Sequence, residues 1–361
     1  MSTQVSAPLY TYSRISGFRP INPDPQEPTS QKPESGLINK LDRLLHRKSA
    51  TQSSLTPTHP TPAKNPENAS ATANESQPEE PSDPISLRIL TWNIWFENLL
   101  KQQRTSVLIA TIKSLNPLPD VCCFQECTEG FELQLQEDDW WRKTWAMTKC
   151  ADQFAVTGSD YGTMVFVRRE LVGKMEFKAK AWFEPFAISQ TGRGLLVLEL
   201  IPPKSKHPLL IATSHLDYTP QIRATQFASA ISTLSVTPTG IFCGDTNIDT
   251  YPELDPLLSA GYVDSWFDTN PDSVNSPDLR TVGVTFGTAG LRGSHSSNKG
   301  DGPPRRLDYV MTRGMKVKKC ELVGDKPIPK EKWETSSDEK ESDLEVYVSD
   351  HLGVLVDVEL A

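Results

Sequence analysis

Short apolar runs recur from Leu87 onward, and each breaks off at an acid, an amide or an imidazole. The clearest is Gly240-Ile241-Phe242-Cys243-Gly244-Asp245-Thr246-Asn247. Ile241 to Cys243 is long enough for a buried strand and too short for a helix. Gly244 lets the backbone turn sharply, and Asp245 and Asn247, two residues apart, point the same way off the end of a sheet. An Asx-turn capping the next helix is the plainer reading of a lone Gly-Asp-x-Asn. The other runs argue against it, because they end on Asn93, Glu126, His215, Asp308 and Asp350-His351. Burying several unpaired carboxylates is very costly, so this set must be paired, solvated or bound to a cation. Open α/β architectures hold their chemistry at such strand ends.

The first 84 residues differ in kind. Pro, Ser, Thr, Asn and Gln dominate there, and from Pro20 to Pro84 prolines recur every few positions. A stretch of this composition buries too little apolar surface to offset its ordering entropy, so a disordered N-terminal tail is expected over 1–84. Inside it, Ile38, Leu41 and Leu45 share a helical face within residues 37–48, ringed by Lys40, Arg43, Arg47 and Lys48. Docking on a protein partner, folding back onto the rest of the chain, and a transient helix without a role are all open to it. Leu9, Tyr10, Tyr12 and Phe18 form a second apolar cluster with the same choices. Residues 85–361 suit one large α/β domain.

A formal net charge of −9 argues against a protein that coats nucleic acid by bulk electrostatics. It leaves room for an enzyme with a local basic groove and a divalent cation. The six cysteines form no CxxC pair, the pattern of reduced core thiols in an intracellular protein. Nuclear, cytoplasmic and mitochondrial placement all stay open. No apolar run reaches membrane-spanning length, no signal peptide is evident, and a monomer is expected.

Periodicity and punctuation predict strands over 86–93, 121–124, 162–168, 194–201, 209–213, 281–286, 306–311 and 346–359, besides the run at Ile241. Helices are predicted over 101–115 and 221–234, and long loops over 287–304 and 324–347. Carboxylates and amides without a Cys-rich cluster suit a hard, oxygen-seeking metal, Mg²⁺ or Mn²⁺. A His beside an Asp, with a further Asp nearby, suits an imidazole held for acid or electrostatic work. Together they describe metal-assisted attack of water on a phosphoester. Taken singly, each residue also has a structural reading as a turn, cap or surface strand residue. Glu126, for instance, stands where a helix capped at Thr128 would begin.

Thr91-Trp92-Asn93, Phe124-Gln125-Glu126, Ser214-His215-Leu216-Asp217, Gly244-Asp245-Thr246-Asn247, Arg306-Leu307-Asp308-Tyr309 and Ser349-Asp350-His351 resemble, in order, the motifs of the endonuclease/exonuclease/phosphatase superfamily. The match runs from Leu87 to Leu360. Within the superfamily, Ser-His-Leu-Asp followed by Arg223-x-x-Gln226 is most similar to the 5′-tyrosyl-DNA phosphodiesterases. Abasic-site endonucleases carry Tyr-x-Pro-Asn where this chain has His-Leu-Asp.

The resemblance implies a four-layer α/β/β/α sandwich of the α+β class, two packed mixed sheets flanked by helices, with the site at one end. It implies a Mg²⁺-dependent phosphodiesterase, with Mn²⁺ as an alternative ion, acting in DNA repair. Its substrate would be a phosphoester at a single-stranded or frayed DNA end, cleaved by in-line attack of water. Carried over by residue, Glu126 would be the principal Mg²⁺ ligand, with Asn93 beside it and Asp350 in support. Asp245, helped by Asn247, would activate the water. His215 and His351 would hydrogen-bond the phosphate oxygens, and Asp308 would fix the ring of His351.

Arg193, Arg223 and Phe286 are expected at the substrate, Phe286 as a stacking aromatic. Lys299, Arg305 and Arg306 are further candidates for a basic rim. The chain also departs from the pattern. Trp95 stands where the family usually has an Asp, which favours one metal over two. Tyr218-Thr219-Pro220 replaces a Ser and an Arg near the phosphate, so contacts there do not carry over. A general nuclease, a deadenylase, a phosphatase of lipid or sugar phosphates, and an inactive interaction module remain as alternatives of the same fold.

Overall fold

The structure, a computed structural model, describes residues 4–7, 9–13, 17–20, 84–205, 207–275, 278–287, 304–329 and 346–360. Two βαβ units form its centre. β4 (Ser86–Asn93) and β5 (Val121–Thr128) pair in parallel, with α1 (Lys101–Ser114) crossing between them. β10 (Leu209–His215) and β11 (Gly240–Asp245) do the same around α6 (Pro220–Leu234). Every other pairing is antiparallel among the described residues, so both sheets are mixed.

The seven-stranded sheet runs β1 (Val5–Ser6), β8 (Lys178–Pro185), β9 (Gly194–Ile201), β10, β11, β13 (Asp308–Arg313), β12 (Val263–Asp264). The eight-stranded sheet runs β14 (Met315–Val323), β15 (Gly353–Leu360), β4, β5, β7 (Tyr161–Arg168), β6 (Trp145–Met147), β2 (Tyr10–Ser13), β3 (Gly17–Pro20).

Alternation along each strand sorts the core into layers. Leu87, Ile89, Val121 and Cys123 meet Leu198, Ile211, Ile241 and Cys243 between the sheets. The intervening residues Leu90, Trp92, Cys122 and Phe124 face outward onto α1, α2 (Glu129–Glu137) and α3 (Asp139–Thr144). On the opposite flank Leu210, Ala212, Phe242 and Met311 meet Phe227 and Leu234 of α6 and Leu257 of α7 (Asp255–Ser259). Strands buried on both faces read as continuous apolar runs, which is why these were visible in sequence. The four-layer sandwich is thus present. Short helices α4 (Ala151–Thr157), α5 (Arg169–Gly173) and α8 (Ser265–Thr269) serve as connections. Among the described residues no helix is long and apolar enough to cross a membrane, and the six cysteines are buried free thiols.

Several expectations fail. The tail expected over 1–84 is not continuous: β1 extends one sheet at β8, and the β2–β3 hairpin extends the other at β6. Between these strands Ala7 and Leu9 are buried in the inter-sheet core. The segment covers two sheet edges that would otherwise be open, so the Leu9 cluster folds back onto the domain. The Pro-rich composition that suggested disorder begins only at Pro20. Residues 37–48 lie outside the described residues.

Thr281–Phe286 is not a strand; Phe286 makes only isolated bridges, to Arg305 and His351. β8 and β14 are absent from the expected strands because neither carries a continuous apolar run: β8 alternates lysine with alanine at its start, and the alternation of β14 breaks at the register shift between Val317 and Lys319. The strand expected to stop at Phe124 continues to Thr128, and that extension shapes the site.

Candidate active site

The C-terminal ends of β4, β5, β10 and β11 lie at the same end of the sandwich as the starts of their antiparallel neighbours β7, β9, β13 and β15. Asn93, Glu126, His215 and Asp245 come from the first group. Tyr161, Arg193, Asp308 and His351 stand at or just before the second.

Glu126 is placed by a bulge. The β5–β7 register slips between Phe124 and Cys127, and Glu126 takes a φ of 60°, a conformation that few residues with a side chain adopt. Its Oε2 accepts the Phe96 backbone N–H at 2.8 Å, and Oε1 lies 3.8 Å from His215 Nδ1. The structural reading is half met, since Thr128 caps α2 through the Phe131 N–H at 3.3 Å. Beneath the site, Gln125 Nε2 donates to Thr91 at 3.0 Å and to Thr213 at 2.9 Å, tying the sheets together.

Asp245 is the hub. Its Oδ2 accepts from Asn93 Nδ2 at 2.8 Å, with His215 Nε2 at 3.3 Å and His351 Nε2 at 3.8 Å. Its Oδ1 accepts the Asn247 backbone N–H at 3.1 Å, while the Asn247 side chain donates to the Leu216 carbonyl at 2.8 Å. Gly244 makes this approach possible. Its φ is 131°, and a Cβ there would run into the Ser214 carbonyl of β10. On the far side, His351 Nδ1 is paired with Asp308 Oδ2 at 2.7 Å.

Burial and charge set the two histidines apart. Burial opposes a charge on His351, but Asp308 and Asp245 on either side hold its pKa well above the usual value, so it is an imidazolium. Burial, reinforced by the charges of Arg193 and His351, holds His215 well below, so it is neutral. Burial pushes the Asp245 carboxyl up to about 6 against the pull of His351, and it pushes Asp350 to about 6 as well. Glu126 is raised by the same cause.

Acids therefore outnumber cations in this buried cluster, a deficit that a divalent ion would correct. His215 Nδ1 and Asp308 Oδ1 are buried without a hydrogen-bond partner among the described residues. Two places fit an ion differently. Asp245, Asp308 and His351 bring ligand atoms within 4.8 Å of one another. An imidazolium has no free lone pair, however, so that group is better suited to donating than to ligating. Glu126 forms no ion pair with a Lys or Arg side chain among the described residues, although its charge is felt by Lys101 and Arg104, and Asp350 is its acidic neighbour. Asn93 Oδ1 already accepts the Trp95 N–H at 3.0 Å, which leaves one lone pair. The donor set on the Glu126 side is all oxygen, as a hard cation prefers.

Arg193 reaches the site. Its guanidinium donates to the Tyr161 hydroxyl at 3.0 Å and lies 3.5 Å from His215 Nε2. Asp217 steadies the loop that carries it, accepting from Ser189 at 2.7 Å, Thr191 at 2.6 Å and Gln226 at 2.6 Å. Arg223 does not reach it. That side chain is buried and spends its donors on Glu253, Asp249 and the carbonyls of Asp217 and Tyr218, so it is a brace and not a substrate contact.

Arg306 is likewise removed from the expected rim: it forms a buried ion pair with Asp264 and lies over Tyr309. Arg305 pairs with Asp249 at 3.2 Å, and Lys299 lies outside the described residues. The Phe286 ring packs on His351 at 4.9 Å instead of standing free. Sequence reasoning missed Phe96 and Tyr161. The only signal was an aromatic beside each of two motifs, at Trp95-Phe96 and at the start of the strand from Tyr161.

The family model for the Endonuclease/Exonuclease/phosphatase family matches residues 90–351. No curated protein matches the chain by sequence. Among solved structures it resembles D. rerio TDP2 complexed with single strand DNA product, with TM-score 0.54 and 21% identity over 76% of this chain and 98% of that one. Truncated Caenorhabditis elegans TDP2 gives 0.55 and 20% over 76% and 98%. An endonuclease/exonuclease/phosphatase family protein from Bacteroides thetaiotaomicron gives 0.53 and 16% over 78% and 100%. At such identities the likeness shows the fold. With the family match spanning most of the folded part, the chain belongs to the Endonuclease/Exonuclease/phosphatase family, whose members hydrolyse phosphoesters.

Proposed function

We propose that this protein is a Mg²⁺-dependent phosphodiester hydrolase of the 5′-tyrosyl-DNA phosphodiesterase kind, with Mn²⁺ able to replace Mg²⁺. Its substrate is a phosphoester at a single-stranded or frayed DNA end, which gives it a role in DNA repair. The observation that carries this reading is the single oxygen of Asp245 facing Asn93, His215 and His351 in a buried pocket. A carboxyl that loses its proton near pH 6 is a base at neutral pH, suited to take a proton from an attacking water. Asn247 and Asn93 fix its orientation.

The His351 imidazolium, locked by Asp308, presents a preorganised donor where negative charge builds on the phosphoryl oxygens. His215 and Arg193 flank the same space. Glu126, with Asp350 and Asn93 beside it, would hold the cation, which when bound supplies Lewis-acid polarisation of the phosphoryl oxygen. Nucleic acid is favoured because one structural neighbour is described as a complex with a single strand DNA product.

Release of tyrosine from a 5′-phosphotyrosyl oligonucleotide in Mg²⁺, abolished by EDTA, is the expected result. Full activity in a Glu126→Gln or Asp245→Asn protein would overturn the residue roles. Turnover of a lipid or sugar phosphate with none on DNA would redirect the substrate.

A further inference from the structure

Beside the site opens a cleft of about 390 Å³, walled in part by Phe96, Tyr161, Gln190 and Thr191. Small-molecule sites span roughly 300–1,000 Å³. Layered groups lead into it from the catalytic end. The Arg193 guanidinium, beside His215, lies over the Tyr161 ring at 4.9 Å. Tyr161 is stacked in turn on Phe96, with centroids 5.0 Å and planes 13° apart. The core aromatics Phe124, Phe131 and Phe166 are at most 1% exposed, whereas Phe96 is 39% exposed. What sets Phe96 apart is its place: the ring stacks on Tyr161 and lines the cleft beside the catalytic end.

The loop that carries it is fixed on all sides. The Phe96 N–H is held by Glu126, and the Phe96 carbonyl accepts from Lys101 at 2.7 Å. Buried Arg104 grips the carbonyls of Trp95 at 2.8 Å and Glu97 at 2.6 Å while lying over the Trp95 ring. The backbone that carries the ring is therefore set before any ligand arrives, and the stack on Tyr161 orients the ring itself, which cuts the ordering cost of binding.

We infer that Phe96, backed by Tyr161, is a stacking subsite for the planar aromatic ring next to the phosphate being cleaved. The inference rests on the phosphodiesterase reading above and adds a place for that ring, a tyrosyl group or a nucleobase.

Binding separates the subsite from catalysis. In EDTA, calorimetry with phenyl phosphate and methyl phosphate measures the preference for a ring without turnover. The wild-type protein is expected to prefer phenyl phosphate; Phe96→Ala should cut that preference about tenfold and Phe96→Trp should keep it. A wild-type protein without the preference, or a Phe96→Ala protein that retains it, overturns the subsite. Turnover then identifies the ring. With 5′-tyrosyl oligonucleotides ending in an ordinary or an abasic nucleotide, a Phe96→Ala loss on both marks the tyrosyl ring. A loss on the ordinary one alone marks the base. Absence of wild-type turnover on either would overturn the phosphodiesterase reading, while the phenyl phosphate preference would still decide the subsite.

Discussion

Asn93 and Asp245 belong to different sheets, and their side chains are joined Nδ2 to Oδ2 at 2.8 Å. The site therefore straddles the seam of the sandwich. Its geometry depends on how the sheets pack, and Gln125 reinforces the same seam from below.

Asp245→Asn removes the base and leaves the shape. The rate should fall by about two to three decades, the usual loss for one preorganised catalytic group. The metal-free protein should not lose stability, because a buried carboxylate crowded by Asp308 becomes a neutral amide. Parallel measurement of rate and melting temperature checks both halves; a large drop in melting temperature would point to a structural role.

Asp245 and Asp350 give the metal-free fold a definite pH dependence. Each keeps its proton up to about pH 6 in the fold, against an ordinary value of 3.8. Their contribution to stability is complete below the ordinary value and is lost as pH rises through about 6. A divalent ion should therefore raise the melting temperature more at about pH 7.5 than at about pH 5. Equal stabilisation at both would count against ion binding among these carboxylates.

Asp308→Asn removes the chief charge that keeps His351 protonated. The pH–rate profile should lose its alkaline plateau at lower pH than in the wild type, with the maximum rate reduced about a hundredfold. An unshifted alkaline limb would mean that the imidazolium is not used.

Arg223→Ala should act on the fold and not on the substrate. It takes one donor from Asp249, which keeps Arg305, and one from Glu253, and leaves the Asp217 and Tyr218 carbonyls without the guanidinium, costing on the order of 2–3 kcal/mol. Denaturant unfolding reads the loss. A raised KM at unchanged stability would return Arg223 to the substrate.

Removing residues 1–20 uncovers the edges of β8 and β6 and withdraws Leu9 from the core. Burial of Leu9 alone is worth roughly 1.5–3 kcal/mol, so the melting temperature should drop. The exposed edges should also promote self-association, which light scattering detects. An unaffected melting temperature would mean that the strap is dispensable.

The sheet core and the converging polar residues were legible because burial on both faces writes itself as plain apolar runs, and because Asn93, Glu126, His215 and Asp245 interrupt those runs. What was not legible depends on partners far away in the chain. Arg193 and Arg223 both follow or flank motifs, and nothing local separates them. Asp249 and Glu253, beyond the next strand, decide that one is a brace. Phe96 gains its meaning only against Tyr161, and Phe286 loses its freedom only against His351. The N-terminal strands are hidden by averaging, because the proline-rich stretch after Pro20 dominates the composition of the first 84 residues and masks the apolar pattern before it.

The slip in the β5 register has a further consequence. Pleat parity reverses with every residue inserted or lost. Deleting Glu126 would close the slip between Phe124 and Cys127, give a straighter ribbon with fuller pairing and leave the Gln125 bridge to Thr91 and Thr213 in place, while removing the acid from the pocket. A descendant of this sandwich could thus become sturdier and inert in the same step.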